Sequence, residues 1–371
     1  MGKITSIVLT GGPCGGKSTS LATIEQELTN KGYLVITPEE MATNVINSGV
    51  RPDVVGVKAF EKLLIKMQYD RDNNYIEMLT KLLEGEDKDI IVVYDRGIQD
   101  CKAFITDEQY TEILNELGLS EIHILEMYDG VFNLVTAANG AVEHYTLANN
   151  KARTETPEEA IERDNDCIRA WTGHSHLRII DNKNKTFEQK IDKLLEEVYM
   201  LLGIPVPVEI ERKYLIEMPD MEELHNKYKC TTVDIIQTYL VEKENGVERR
   251  IRQRGVNGHY TFYYTEKQKI NELSRVENER KITESEYLQL LMEADTELHQ
   301  IRKQRTCFVC DNTYFELDVY PFWKDKAIIE IELTNESTTV ELPKEIKLIK
   351  EVTDNDNYKN NSLAKSLGNV E

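Results

Sequence analysis

ITSIVLTGGPCGGKS occupies residues 4–18 of the chain. Its first part, Ile4–Leu9, is an apolar run of the length and composition of a buried strand. Residues 11–18 then fit the pattern GxxxxGK[ST] in full, and a helix is expected to begin at Lys17. Strand, glycine-rich loop and helix in this order predict a phosphate-binding loop. The alternative is a glycine-rich turn that holds no ligand.

In such a loop, backbone N–H groups converge on phosphate oxygens and the helix N-terminus adds a favourable dipole. Lys17 is expected to contact the β- and γ-phosphates, and the Ser18 hydroxyl to bind Mg²⁺. A second apolar run, Ile90–Tyr94, ends at Asp95, a carboxylate suited to contact the same ion. An ordinary strand-end cap is the alternative for Asp95. The predicted nucleotide-binding residues are Gly11, Gly12, Pro13, Cys14, Gly15, Gly16, Lys17, Ser18, Thr19, Asp95, Arg153 and Arg163.

The two arginines of that set, Arg153 and Arg163, lie with Arg169 in a charged segment that is expected to be helical. Arginines close over phosphates and stabilise charge during phosphoryl transfer. A solvated helix face explains any single one of them equally well. For the two histidines that follow, His174 and His176, we expect a structural or lid role, since no third metal ligand is in view.

The first half of the chain alternates short apolar runs with helical patterns. After Ile90–Tyr94 the runs continue with Ile122–Leu125 and Leu177–Ile180. This alternation is typical of a parallel sheet with flanking helices, an α/β fold. Residues 205 and 207 are both proline, which excludes a continued helix and a central strand. We therefore predict one domain over residues 1–204 and a second over 205–371.

The second half has strand-like alternation and turn sequences, which predict an antiparallel β-barrel or sandwich with one helix after Thr283. Charged residues recur there at a spacing of two, so each set lies on one face of its strand. The clearest sets are Glu209/Glu211/Lys213, Arg250/Arg252/Arg254 and Glu330/Glu332. These charged sets line either the solvent-exposed face of a sheet that packs on its other face only, or the charged interior of a barrel.

Two features favour the interior. Ile329 and Ile331 give the strand around Glu330 and Glu332 a strongly apolar opposite face. Adjacent carboxylates also repel one another unless a cation lies between them. Carboxylate oxygens in this number suit Mg²⁺ or Mn²⁺, and basic residues on other strands would then hold an anion.

Composition excludes several classes of function. The net charge of −21 argues against general binding to nucleic acid or to an anionic membrane. No apolar run approaches the roughly 20 residues of a transmembrane helix. The six cysteines show no disulfide framework, and no secretory signal opens the sequence, so we expect a cytoplasmic protein. Cys307 and Cys310 lack the second pair that a zinc site needs.

Glu209-Ile210-Glu211-Arg212-Lys213 resembles the ExExK signature of the CYTH, or triphosphate tunnel metalloenzyme, superfamily. The resemblance covers about residues 205–365 and implies an eight-stranded antiparallel tunnel. It implies a catalytic set of Glu209, Glu211, Lys213, Glu330 and Glu332. The implied metal ligands are Glu209, Glu211, Glu330 and Glu332, assisted by Asp318. The implied phosphate-binding residues are Lys213, Arg250, Arg252, Lys267, Arg280, Lys303 and Arg305.

The first half resembles the AAA-type ATPase or kinase-like domain of the TRPL translocation defect protein family, in which it shares a chain with such a tunnel. The segments that carry this resemblance are Asp95-Arg96-Gly97 and Trp171-Thr172-Gly173-His174. Two functions are compatible with the sequence. One is an ATP- or GTP-binding protein whose tunnel hydrolyses a triphosphate or pyrophosphate with Mg²⁺ or Mn²⁺. The other is a nucleotide-regulated module that binds a polyphosphate-like anion or a phospholipid headgroup.

Overall fold

The computed structural model forms two compact units, Met1–Val198 and Tyr199–Glu371. The division falls inside the last helix of the first unit. The structure describes residues 2–84, 88–142, 156–204, 210–243, 246–269, 275–333 and 338–367, with backbone alone for 268–269 and 275–277. The predicted boundary prolines at 205 and 207 lie outside the described residues, so the boundary between residues 204 and 205 stays a prediction.

The first unit is a five-stranded parallel sheet with the order β2-β3-β1-β4-β5. Its strands are β1 Ile4–Thr10, β2 Leu34–Ile36, β3 Ile90–Asp95, β4 Gly130–Leu134 and β5 Leu177–Ile180. Its helices are α1 Lys17–Asn30, α2 Met41–Asn47, α3 Pro52–Val55, α4 Val57–Leu83, α5 Asp107–Leu117, α6 Glu121–Leu125, α7 Pro157–Trp171 and α8 Phe187–Leu201, and a 3₁₀ segment spans Ile98–Phe104. The three central strands are almost wholly buried, as continuous apolar runs in parallel sheets are.

One predicted strand of this unit is wrong. Ile122–Leu125 lies in the short helix α6, which begins after Ser120, whose hydroxyl accepts a hydrogen bond from the His123 N–H at 3.4 Å. The strand at this point of the sheet is β4, Gly130–Leu134, which pairs with β1. A four-residue apolar run fits a buried helix segment as well as a strand, so periodicity could not distinguish them.

The second unit is a nine-stranded antiparallel sheet with the order β10-β9-β8-β7-β11-β12-β13-β6-β14. Its strands are β6 Ile210–Glu217, β7 Thr231–Leu240, β8 Val247–Val256, β9 His259–Lys269, β10 Arg275–Ile282, β11 Ile301–Cys310, β12 Thr313–Val319, β13 Lys326–Leu333 and β14 Leu348–Glu351. Its helices are α9 Met221–Tyr228, α10 Glu284–Leu290 and α11 Asn360–Ser366. The predicted fold class, a parallel α/β fold followed by a large antiparallel β domain, is confirmed. The described residues of the second unit form nine strands, whereas the resemblance implies eight.

This sheet curls around an interior. Leu215 of β6 and Tyr239 of β7 belong to strands that are not neighbours, yet both pack in one apolar cluster. Leu363 and Ala364 of α11 belong to the same cluster. Asn361 of that helix also donates to the Glu248 carboxylate of β8 at 2.9 Å. Helix α11 therefore closes the apolar end of a charged interior.

Local sequence signals account for the helix α10 and for a tight turn in this unit. The Thr283 hydroxyl accepts from the Glu286 N–H at 3.2 Å, which confirms the predicted helix start. Strands β11 and β12 are joined by Asp311 and Asn312, both at positive φ. Such a pair matches a two-residue hairpin turn, and Asp and Asn tolerate this conformation.

We expect residues 1–204 and 205–371 each to fold when expressed alone, because each compact unit has a sheet and buried core of its own. Each half should show a cooperative thermal melt by circular dichroism, with the full chain as control. Absence of a cooperative melt in both halves would refute the division.

Candidate functional site

The glycine-rich loop leaves the central strand β1 at the edge where the parallel strands end. Gly11 has φ 125°, and a Cβ there would lie 2.3 Å from the Leu134 carbonyl oxygen. Gly16 has φ 92°, and a Cβ there would lie 2.6 Å from the Phe187 ring. Only glycine combines that backbone conformation with such close approach. The loop is thus held tightly against β4 and α8.

Lys17 begins α1, as predicted. Its ammonium donates to the carbonyl oxygens of Gly11 and Gly12, each at 2.9 Å. Burial and the nearby Arg96 guanidinium lower the pKa of Lys17. The next two residues, Ser18 and Thr19, are exposed. The amine therefore lies over the loop, and the Ser18 hydroxyl is accessible at the helix start.

Asp95 ends β3, where it pairs with Leu9 of β1. Its Oδ1 atom is buried and has no hydrogen-bond partner among the described residues. Burial raises the pKa of this carboxyl group, while Lys17 opposes the shift. Mg²⁺ in nucleotide sites usually takes one or two protein ligands together with phosphate oxygens and water. Asp95 and Ser18 fit that requirement, because one offers an unsatisfied buried oxygen and the other an exposed hydroxyl.

Sequence reasoning missed the carboxylate that fixes the loop. Asp164 of α7 is 1 % exposed, and its Oδ1 accepts from the Gly12 N–H at 2.7 Å. Its Oδ2 accepts from the Thr136 N–H at 3.2 Å. Burial raises the pKa of Asp164, and these hydrogen bonds counter the shift. The Gly12 amide is therefore occupied by the protein itself.

A second unpredicted group is built around Arg96, a non-glycine residue at φ 65°. Its guanidinium lies 3.2 Å from Asp100 Oδ1 and donates to the Gly11 carbonyl at 3.2 Å. Asp100 Oδ2 accepts from the Gly97 N–H at 2.9 Å. These contacts hold the turn after Asp95 against the start of the loop.

The predicted arginines and histidines have other partners. Arg163 donates to the Ala103 carbonyl, and its guanidinium carbon lies 4.5 Å from the centre of the Phe104 ring. These contacts are with the 3₁₀ segment and not with the loop. Arg153 lies outside the described residues. His174 Nε2 lies 3.0 Å from the Tyr128 carbonyl and Nδ1 accepts from the His176 N–H at 2.9 Å, which is a structural arrangement.

In the second unit, strands β6 and β13 build the interior in layers. Leu215 pairs with Ile328, Lys213 with Glu330, and Glu211 with Glu332. Along each strand the layers are two residues apart, so all three face the same side. The interior therefore passes from an apolar end, through an ion-pair layer, to two carboxylates directly opposite each other.

The ion-pair layer extends across β11 and β12. Lys213 Nζ lies 2.8 Å from Glu330 Oε1, and Arg305 Nη2 lies 2.6 Å from Glu330 Oε2. Arg305 also makes two bonds of 2.7 Å to the Asp318 carboxylate, which is fully buried, and pairs with Glu316. Lys303 donates to the same Asp318. Lys213 also pairs with Glu211 at 3.0 Å, so the three cations of this layer contact four carboxylates.

Burial opposes the charged forms of Glu330, Lys213, Arg305 and Lys303, and the charged partners outweigh it for the first three. Lys213, Lys303 and Arg305 hold the pKa of Glu330 well below its ordinary value although burial would raise it. The carboxylates raise the pKa of Lys213 and of Arg305 against the effect of burial. For Lys303, burial and the charge of Arg305 prevail, and its pKa is lowered.

The structure describes four of the five predicted metal ligands of the second unit, which are Glu211, Asp318, Glu330 and Glu332. No group of three or more His, Cys, Asp or Glu side chains among the described residues could hold a metal ion. Glu330 and Asp318 are engaged by Lys and Arg, and Glu332 is exposed. Glu209, the remaining predicted ligand, lies outside the described residues. Binding of a divalent metal ion in this interior therefore stays a prediction.

The other predicted phosphate-binding residues divide between two faces. Arg250, Arg252 and Lys267 project to the inner face, where Arg252 pairs with Glu279 at 2.7 Å. Arg280 lies on the opposite face, over the Tyr264 ring and paired with Glu286. Its assignment to the interior is corrected, because a shift of one residue in a strand reverses the face. Arg254 lies two residues after Arg252 on β8 and shares its face.

The comparisons with known proteins bear on the first unit. Residues 6–190 match the family model of an AAA domain. The matched region includes the glycine-rich loop, Asp95 and Asp164. None of the helices that the structure describes has the length and apolar character needed to cross a lipid bilayer.

Comparison with curated proteins finds no match. Among solved structures, the inorganic triphosphatase NE1496 is 26% identical, with a TM-score of 0.30 over 42% of this chain and 94% of that protein. The PH1819 protein of Pyrococcus horikoshii OT3 is 22% identical, with a TM-score of 0.28 over 34% of this chain and 80% of that protein. A Hippeastrum protein described as a putative adenylyl cyclase with a dominant triphosphatase activity is 16% identical, with a TM-score of 0.24 over 34% of this chain and 80% of that protein.

We expect Asp318→Asn to destabilise the second unit by about 3–5 kcal/mol, because it leaves Lys303 and Arg305 buried without their shared carboxylate. Urea denaturation followed by tryptophan fluorescence measures the change. The control is Glu217→Gln, whose exposed pair with Lys347 spans 3.5 Å and should not shift the midpoint. Equal midpoints for Asp318→Asn and wild type would contradict a structural role for the layer.

Proposed function

We propose that the chain binds a nucleoside triphosphate, ATP or GTP, at the loop of its AAA domain and a triphosphate- or pyrophosphate-containing anion inside the second unit, which it hydrolyses. The observation that supports nucleotide binding most directly is the glycine loop with Lys17 above it and the unsatisfied Asp95 oxygen beside it. A parallel sheet binds its ligands at this edge, outside the carboxyl ends of its strands.

Each group at the loop has a defined task in this proposal. Lys17 would exchange its two carbonyl partners for oxygens of the β- and γ-phosphates. The positive end of α1 attracts the same charge. Ser18 and Asp95 would hold Mg²⁺, which, when bound, neutralises phosphate charge and orients the transferred group. Arg96 supports the turn that presents Asp95.

In the second unit the proposal depends on buried basic side chains. Lys213, Lys303 and Arg305 line the interior from one side and Arg252 from the other. Lysine and arginine at such density, in a protein of net charge −21, form a local site for a polyanion. Glu211 and Glu332, which lie opposite each other on β6 and β13, would together with Glu209 hold Mg²⁺ or Mn²⁺, which when bound would supply an activated water for hydrolysis.

The second candidate function is a binding module without hydrolysis, for an anionic phosphate ligand such as a phospholipid headgroup. The observation that favours it is the pairing of Glu316, Asp318 and Glu330 with Lys or Arg. Carboxylates engaged in this way are not available to activate water. The charged interior then needs only its basic residues.

Phosphate release separates the two functions. The full chain carrying Lys17→Ala, which disables the AAA domain, is incubated with ATP, GTP, tripolyphosphate and pyrophosphate, with and without Mg²⁺ or Mn²⁺. Phosphate release that persists in this variant is catalysed by the second unit. Binding of tripolyphosphate without release under any condition would support the binding module, and neither binding nor release would refute both functions for this unit.

For the AAA domain, Lys17→Ala should weaken ATP or GTP binding at least about tenfold, since a charge-assisted bond to phosphate is lost. Titration of a fluorescent nucleotide analogue with Mg²⁺ measures the affinity. Lys81→Ala, at an exposed position of α4, should leave it unchanged. Equal affinities of wild type and Lys17→Ala would refute the assignment of the loop.

For the second unit, Arg252→Met should weaken tripolyphosphate binding about tenfold, whereas Arg280→Met should not, because only Arg252 faces the interior. The two arginines are matched, since each is paired with one glutamate and packed on one tyrosine ring. Isothermal titration calorimetry in the Lys17→Ala background gives both affinities. A larger loss for Arg280→Met would mean that the ligand binds outside the interior.

A further inference from the structure

Three consecutive carbonyl groups of the loop are hydrogen-bonded to the surrounding protein. The Thr136 hydroxyl donates to the Pro13 carbonyl at 2.5 Å, and the Ala137 N–H donates to the Cys14 carbonyl at 3.2 Å. The third carbonyl, that of Gly15, accepts from the Lys190 ammonium at 3.0 Å. Two of these donors follow β4, and the third belongs to α8.

These bonds determine where the amide groups of the loop point. In a trans peptide unit the C=O and the following N–H point in opposite directions. Each carbonyl that is bonded to the protein therefore directs the next N–H away from it. The affected amides are those of Cys14, Gly15 and Gly16, which thus point together toward the side of the loop opposite Thr136 and Lys190. Successive N–H groups aimed at one point form an anion-binding concavity.

Lys190 is an unusual member of this group because it is a buried cation. The residue is 3 % exposed and donates also to the Val135 carbonyl at 2.6 Å. The charged groups around it are Asp164 of α7, Lys17 of α1, and Asp181 and Lys185 after β5. Burial lowers the pKa of Lys190 to about 8, against the opposing effect of Asp164. On the same helix, Lys193 pairs conventionally with Glu197 at 3.2 Å.

We propose that Lys190 is a positioning residue for the nucleotide, which orients the Gly15–Gly16 peptide toward the phosphate and adds its positive charge behind the loop. The inference rests on the proposed nucleotide binding by this loop. Lys190 does not contact the phosphate. It acts on the phosphate through the Gly15–Gly16 peptide that it orients and through the electric field of its charge. Its role therefore differs from that of Lys17, which lies on the ligand side of the loop.

The test compares Lys190→Met, which keeps the length of the side chain but removes its donors and charge, with Lys193→Met as matched control on α8. Affinity for the fluorescent nucleotide with Mg²⁺ is measured at pH 7, together with the thermal melt of each variant. Lys190→Met should bind about tenfold more weakly or worse, because an oriented amide and a buried charge are both lost. Lys193→Met should bind as wild type does.

A pH profile distinguishes positioning by charge from simple packing. A neutral Lys190 amine can still donate to the carbonyls of Gly15 and Val135. Above pH 8 the loop therefore keeps these hydrogen bonds and loses only the positive charge of Lys190. The affinity of the wild type should therefore fall as the pH rises through about 8. The affinity of Lys190→Arg, which stays charged at this position throughout the range, should fall less than that of the wild type, because Lys17 alone of the two lysines then loses its charge.

The outcomes are separable. If wild type binds no nucleotide, the proposed function fails. If wild type binds and a folded Lys190→Met binds equally well, the inference about Lys190 is overturned and the proposed function stands. Should Lys190→Met lose its cooperative melt, the pH profiles of wild type and Lys190→Arg decide, and identical profiles would overturn the inference.

Discussion

The pairing of Arg305 with Asp318 in the second unit shows the constraint on which both units depend: charge that is removed from water has to be compensated locally. Two bonds of 2.7 Å join the guanidinium to the buried carboxylate. An uncompensated charge at this place would cost several kcal/mol. Glu330 and Lys213 extend the same compensation across β13 to β6. The curled sheet can therefore have a charged interior, while its opposite face packs as an apolar core.

The same constraint acts differently at the parallel sheet. There the compensation comes mainly from backbone groups, since Lys17 and Lys190 both donate to main-chain carbonyls and Asp164 accepts from main-chain amides. Backbone partners leave each charge only partly neutralised, and burial lowers the pKa of both lysines. A phosphate group at the loop would supply the missing charge. The loop is thus electrostatically prepared for an anion before one arrives.

Local signals explain how far the sequence predicts these sites. The glycine loop, Thr283 with Glu286, and the charges spaced by two are patterns of neighbouring residues, and structure follows them closely. Asp164 accepts a hydrogen bond from Gly12, which lies 152 positions earlier in the chain, and no local sequence pattern predicts such a contact. Lys190 occupies one polar position beside an apolar helical stripe and resembles any solvated lysine. Arg280 shows a third limit of the sequence analysis. The face of a sheet on which a residue lies can be assigned only when the register of its strand is known.

The ion pairs of this interior also bear on what it would bind. A ligand that enters must take Lys213, Lys303 and Arg305 from carboxylates that are tethered in place and already well oriented. A ligand with a single charge would replace one carboxylate by an equal charge and would lose translational freedom as well. A ligand with several charges contacts more than one cation at once, and its later contacts cost little further freedom. The same layer that stabilises the sheet therefore favours a polyphosphate over a monophosphate or a simple carboxylate. Arg252 of β8, which pairs with Glu279, faces the same interior, so a ligand with several charges can contact it as well as the layer.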